Sequence, residues 1–456
     1  MKATLLSFSV TLCLCGQPRL MRAELAPSTA PTPTQPSDPI QALIDQLAAD
    51  EWRAREDAQE QLTALGADVI PRLQRVVAES SSEEARQRAG AAINRIRERQ
   101  VTGSSLITLH MKNVSPREVF AEISRQSGSN LQPLPPELWD TRPWPKVSFD
   151  FDNQPFWIVM RAIAEQTGME LKPWNNDGLH LIQGAPAAAA NGRWTVTGPF
   201  LITLHRASRK QEIDYAAADA VSSDFVLTFT AMAEPKLRVL RASYLAKLDE
   251  ATDDRGNSLL PTDDNDEHDR RRGLELAYTG NHAGQWSFTA RLASAKNMGT
   301  RLAVLRGSAM VQLQTRSQTL EVPNILSATN VTGSAGGMSL TVREVKKTGD
   351  RYELNVIVAR EAGRPETGAD ALDWQRIQQS LTELTLVDEQ GRTLERGSFS
   401  SGGTDQSTEV TMSFSATEAN TARNRTGEPS KLVWRVATEV KDVLVPFEFK
   451  DVPLPQ

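Results

Sequence analysis

Cysteine is almost missing from this chain of 456 residues: there are two, Cys13 and Cys15, both among the first fifteen positions. Everything after them lacks a disulfide framework, a thiol nucleophile and cysteine ligands for zinc. Histidine is scarce too. His110, His180, His205, His268 and His282 are spread so that no two stand at a ligand spacing, and no metal is expected. Basic excess is absent: 51 Lys and Arg face 57 Asp and Glu, a net charge of −6, which argues against nucleic acid as a partner. No apolar run after residue 16 is long enough to cross a bilayer, so no integral span is expected in the mature chain. The serine elbow of hydrolases does not occur, and the glycine-rich "GSAGG" (Gly333 to Gly337) precedes a strand instead of joining a strand to a helix. The sequence therefore assigns no catalytic residue and no cofactor, and the chain is read as not an enzyme.

What is present begins with Lys2 and the apolar "ATLLSFSVTLCLC", bounded by Gly16, Gln17 and Pro18, the pattern of an export signal over residues 1–23. A cut after Ala23 removes Lys2, Arg19 and Arg22 and moves the charge from −6 to −9. Leucine precedes each cysteine, which argues against a lipid anchor. The expected location is the periplasm or cell envelope of a bacterium. Residues 24–39 are a Pro/Thr/Ser linker. Over 40–102 the apolar spacing turns helical: Leu43, Ile44 and Leu47; Trp52, Ala58, Leu62 and Leu65; Val69, Ile70, Leu73, Val76 and Val77; Ala85, Ala89, Ala92, Ile93 and Ile96. Gly66 sits where a helix would end at positive φ. These short helices, in "DEWRAREDAQEQLTALGADVIPRL" and "SSEEARQRAGAAINRI", resemble the HEAT-repeat class.

Two later stretches repeat one another. "NVSPREVFAEISRQSGSNL" from Asn113 and "NQPFWIVMRAIAEQTGMEL" from Asn153 match at 113/153, 123/163, 126/166, 128/168 and 131/171. Each follows a strand of alternating polarity, "LITLHMK" or "VSFDF". Ser115, Pro116 and Glu118 form a capping box with proline in the first helical turn; Asn153 is expected to cap the second helix; Gly128 and Gly168 close both. "ELKPW" and "LHLI" then form a hairpin around "NNDG". Each copy buries one side of a helix, and two copies side by side would close one small core. The arrangement over 104–184 resembles the short N-terminal domain of secretins and TonB-dependent receptors. That resemblance implies a periplasmic contact element without chemistry of its own, although no pore or outer-membrane barrel pattern follows here.

After a joint at 185–193 the alternation is that of short strands. Two antiparallel β-sandwich domains are expected, 194–326 and 327–456, with a helix at "DALDWQRIQQSL", residues 370–381. They are similar to the β-domains that accompany helical repeats in uncharacterised bacterial envelope proteins. The fold class is multidomain α+β. Two stretches invite a binding reading. The carboxylates of "PTDDNDEHDRRR", residues 263–269 in particular, suggest calcium but lack the EF-hand glycine and distal glutamate, so a solvated loop is expected. Trp139 and Trp144 lie on a proline-rich connection and are the candidate contacts for a partner or a glycan. The expected role is an exported scaffold that docks an envelope protein through its helical and secretin-like modules. The alternative is a glycan or cell-wall binder using the β-sandwiches and loop tryptophans.

Overall fold

The computed structural model describes residues 38–141, 143–173, 179–184, 193–215, 220–261, 276–278, 284–293, 297–360, 380–403, 407–416 and 426–455. The export signal, nearly all of the 24–39 linker, the acidic stretch 263–269 and most of the helix expected at 370–381 lie outside those residues. The chain is mixed α+β, mostly strand, and forms two compact units, residues 1–93 and 94–456. Among the described residues no helix is long and apolar enough to cross a membrane.

In the first unit, α1 (Pro39–Gln46), α2 (Trp52–Ala64) and α3 (Ile70–Glu79) precede α4 (Glu83–Thr102), which runs on into the second unit. Asp38 caps α1, accepting from the Ile40 amide at 3.0 Å, with Pro39 in the first turn. Ile44, Leu47, Ala58, Leu62, Val69, Leu73, Ala85, Ala89, Ala92 and Ile93 are buried. Trp52 and Leu65, placed by periodicity on an inner face, are instead 61% and 48% exposed. Trp52 stands six positions before Ala58, about 240° around the helix, and Leu65 lies just past the last helical residue. Val77 is exposed as well.

The second unit opens with β1 (Leu106–Val114), α5 (Pro116–Ser127), β2 (Gln132–Pro133), β3 (Val147–Pro155), α6 (Phe156–Thr167), β4 (Met169–Pro173) and β5 (Leu179–Gln183). β1 pairs antiparallel with β3, and β5 lies between a parallel β2 and an antiparallel β4. The two repeats share one core: Ile107, Leu109, Val119, Phe120 and Ile123 from the first meet Phe149, Phe156, Val159, Met160 and Ile163 from the second. Gly128 and Gly168 end their helices at φ 65° and 69°. Ser115 accepts from the Glu118 amide at 3.3 Å and donates to its carboxylate at 2.8 Å. Asn153 does not cap α6. It lies within β3 at φ 46°, as Asn113 does within β1 at φ 56°, and Pro155 occupies the cap position. The matched asparagines mark bulges in the strands, two residues ahead of either cap.

The remaining strands are β6 (Arg193–Thr197), β7 (Phe200–Asp214), β8 (Ala220–Ala233), β9 (Val239–Ser243), β10 (Lys247–Asp253), β11 (Leu276–Tyr278), β12 (Gln285–Leu292), β13 (Arg301–Pro323), β14 (Val331–Ala335), β15 (Met338–Thr348), β16 (Arg351–Arg360), β17 (Leu384–Asp388), β18 (Glu395–Gly403), β19 (Ser407–Ser415) and β20 (Pro429–Pro453). One sheet runs β12-β8-β7-β6 and another β14-β15-β16-β19-β18. A third, β11-β9-β13-β20-β17 with β10 also on β13, serves both. β13 and β20 pair along their whole lengths, from Arg301↔Pro453 to Pro323↔Lys431. The ribbon passes through two cores. Leu302, Leu305, Ala309, Val311 and Leu313 of β13 pack with Val445, Phe447, Phe449 and Val452 of β20 in the first. Val322 packs with Leu432, Trp434 and Val436 in the second. The expected division at 326/327 thus assigns 443–454 to the second domain, whereas the structure places them in the first core.

Candidate functional site

Register explains what the β1/β3 ribbon presents to solvent. Because the two strands are copies paired antiparallel, the pair has a local two-fold centre, and only there do residues matched in sequence lie opposite one another. His110 lies opposite Asp150, its counterpart forty positions on. The bulges at the two ends are fixed the same way. The Asn113 amide donates to Ser148 Oγ at 2.9 Å, and the Asn153 amide donates to Thr108 Oγ1 at 3.0 Å. His110 Nδ1 sits 2.6 Å from Asp150 Oδ1 and its Nε2 3.2 Å from Asp152 Oδ1. The hydrogen bond the ring donates to Asp150, with the charge of Asp152 behind it, holds the imidazole above its ordinary pKa. All three side chains are exposed. The result is a small, charge-tunable polar face. His205 is also exposed on its strand, and His180 is half-buried on β5. Among the described residues no three His, Cys, Asp or Glu side chains are placed to hold a metal ion.

The opposite side of the same module is fastened to the β6/β7/β8 sheet. Trp157 in α6 donates its indole N–H to the Pro199 carbonyl at 3.1 Å. Arg161 lies over the Trp194 ring at 5.0 Å, and Leu201, Trp194, Val196 and Met232 join the module's core. Glu234, 1% exposed, accepts the Ser105 amide on both carboxylate oxygens at 3.0 Å, with Lys236 Nζ at 3.5 Å. Burial raises its pKa, an effect that Lys236 and Ser105 oppose. A tryptophan, an arginine and a buried carboxylate together fix the module's orientation on the sheet.

Trp139 and Trp144 come together, but in a different setting from the one the sequence suggests. Both are half-buried against the module core. Their ring centroids are 5.8 Å apart with planes at 67°, and Trp139 lies 5.8 Å from Phe120. Trp144 Nε1 donates to the Leu138 carbonyl at 3.1 Å. They close the lid of a core instead of lying coplanar on the surface.

Sequence reasoning passed over His110, Asp150 and Asp152 as a group. Part of the signal was available, since two strands forty residues apart that pair antiparallel bring one matched pair face to face, and His110 with Asp150 is that pair. A buried aspartate in each β-core, Asp253 and Asp388, also escaped notice. Asp253 accepts from the amides of Arg255, Asn257 and Gly299 at 3.0, 2.7 and 2.6 Å and from Asn257 Nδ2 at 2.9 Å. Asp388 accepts from the amides of Gln390, Arg392 and Gly427 at 3.0, 2.8 and 2.9 Å and from Arg392 Nε at 2.8 Å. With every oxygen satisfied by nearby donors, these are structural carboxylates. Compared with protein-family models, curated proteins and solved structures, the chain has no significant match.

Proposed function

We propose that this chain is an exported, non-enzymatic scaffold of a bacterial cell envelope that holds a protein partner through its HEAT-like helices and its secretin-like α/β module. The β-sandwich pair acts as the rigid stand. The observation that carries the reading is the module's two-sidedness. One side is locked to the sheet by Trp157, Arg161 and Glu234, which leaves the β1/β3 face with His110, Asp150 and Asp152 turned to solvent. A rigidly presented polar strand pair suits recognition of another protein's surface. A glycan platform would use flat, open indoles, whereas Trp139 and Trp144 stand edge to face against each other beside Phe120.

The test combines location and binding. Fractionation should place the protein outside the cytoplasm with its N-terminus trimmed near Ala23; retention of the full chain in the cytoplasm would refute export. Cross-linked pull-down from envelope extracts should recover a partner with the unaltered chain and lose it with Asp150→Lys/Asp152→Lys. Equal recovery by both, with unchanged circular dichroism, would refute docking through this face.

A further inference from the structure

We infer that the β-region consists of two copies of one domain that have exchanged their last strands, so that the first copy carries a groove which accepts residues 443–454 as a foreign strand.

The duplication shows in topology before it shows in sequence. In the first copy the sheet order is β12-β8-β7-β6, and in the second β19-β16-β15-β14 with β18 added at the β19 edge. Each opening hairpin turns on a glycine at positive φ, with Thr197↔Phe200 around Gly198 and Ala335↔Met338 around Gly336. β10 pairs with β13 as β17 pairs with β20. The two buried aspartates occupy the same turn, "DDRGNSL" and "DEQGRTL", at an offset of 135. Gly256 and Gly391 sit at φ 82° and 79°, and the bridges Thr252↔Ser258 and Val387↔Thr393 match as well. A glycine amide from a distant loop completes each, Gly299 for Asp253 and Gly427 for Asp388.

By this correspondence β13 and β20 are the same strand in two copies. Each finishes its own core and then continues into the other. The stretch between belongs to neither: Arg316 to Thr319 and Thr438 to Asp442 are exposed. In the first copy the incoming strand supplies Phe447 and Phe449, whose rings lie 5.2 and 5.8 Å from Phe229. Phe447 also lies 5.8 Å from Phe288 on the facing sheet. Gly307 lies opposite Phe447, and a Cβ there would come within 2.9 Å of its ring. The equivalent pair in the second copy reverses the sizes, with Trp434 on the resident strand and Leu320 arriving. Gly307 makes room for the Phe447 ring, a space that Leu320 in its place would underfill, so the groove of the first copy fits the strand of the second better than its own.

Hydrogen exchange read by peptide tests this. Phe447→Ala/Phe449→Ala in the full chain should speed exchange in β7, β8, β12 and residues 301–313 by roughly a hundredfold or more, with little change in β15, β16 and β19. Faster exchange confined to the second copy, or none, would overturn the inference. A chain ending at Thr438 should show the same first-copy loss. A synthetic peptide of residues 440–455 should restore protection there, and the same peptide with serine at 447 and 449 should not. Restoration by both peptides or by neither would also overturn it.

Discussion

Removing the Asp253 carboxylate is the sharpest single perturbation the structure offers. Asp253→Ala strips the acceptor from four donors held at 2.6–3.0 Å in a 1% exposed site. A hydrogen bond to a charged group contributes about 1.5–3 kcal/mol, and donors left without a partner cost further, so a net loss of about 3–5 kcal/mol is expected. That is a large share of the usual stability of a domain, about 5–15 kcal/mol. Acid should reproduce part of it. Burial raises the Asp253 pKa, but the donors from Asn257, Gly299 and Arg255 outweigh it and bring it from 3.8 to about 2. A depressed carboxylate stabilises the fold above its unfolded pKa and loses that stabilisation as pH falls through the folded value. About 2.5 kcal/mol should therefore vanish as the pH falls from about 4 to below about 2. Urea unfolding at pH 7 and along that interval measures both. A variant within about 1 kcal/mol of the parent at pH 7, or one keeping the parent's acid limb, would refute the reasoning. Asp388→Ala should behave alike in the second copy.

Three smaller changes follow from local geometry. Gly90 lies inside α4 with nothing within 4 Å of the place an alanine methyl would take, so Gly90→Ala should stabilise by about 0.5–1 kcal/mol, read as a higher melting temperature. Ser115→Ala removes the α5 cap and should cost about 1 kcal/mol in denaturant titration. Trp157→Phe keeps a ring in place but takes the donor from the Pro199 carbonyl; it should cost about 1 kcal/mol and speed amide exchange at the β6–β7 turn.

The α/β module was the most legible part of the chain because every local signal agreed there: alternation in the strands, a capping box at Ser115 and glycines at 128 and 168. The second cap misled, since asparagine suits an N-cap and a bulge of positive φ equally well. The helical spacing found the buried stripe but over-extended it to Trp52 and Leu65 at helix ends. The full length of β20 is not legible from alternation, for a physical reason. Thr438 to Asp442 lie between the cores with both faces wet, so alternation stops where pairing does not. Pro446 is a further signal against one continuous strand, yet proline is tolerated in an edge strand, and no described strand flanks β20 on that side at that point. The site residues suffered similarly. Tryptophans on a proline-rich loop attract notice by type, whereas His110 and Asp150 gain meaning only from register.

The strand exchange also sets a timetable for the ribosome. Chains ordinarily fold from the N-terminus as they emerge, but Arg301 must wait for Asp451, 150 residues later, before its pairing can form. Until then Phe229 and Phe288 face an unfilled slot, and the upstream half stays unfinished however slowly it is made. Both halves must therefore mature together, late and all at once.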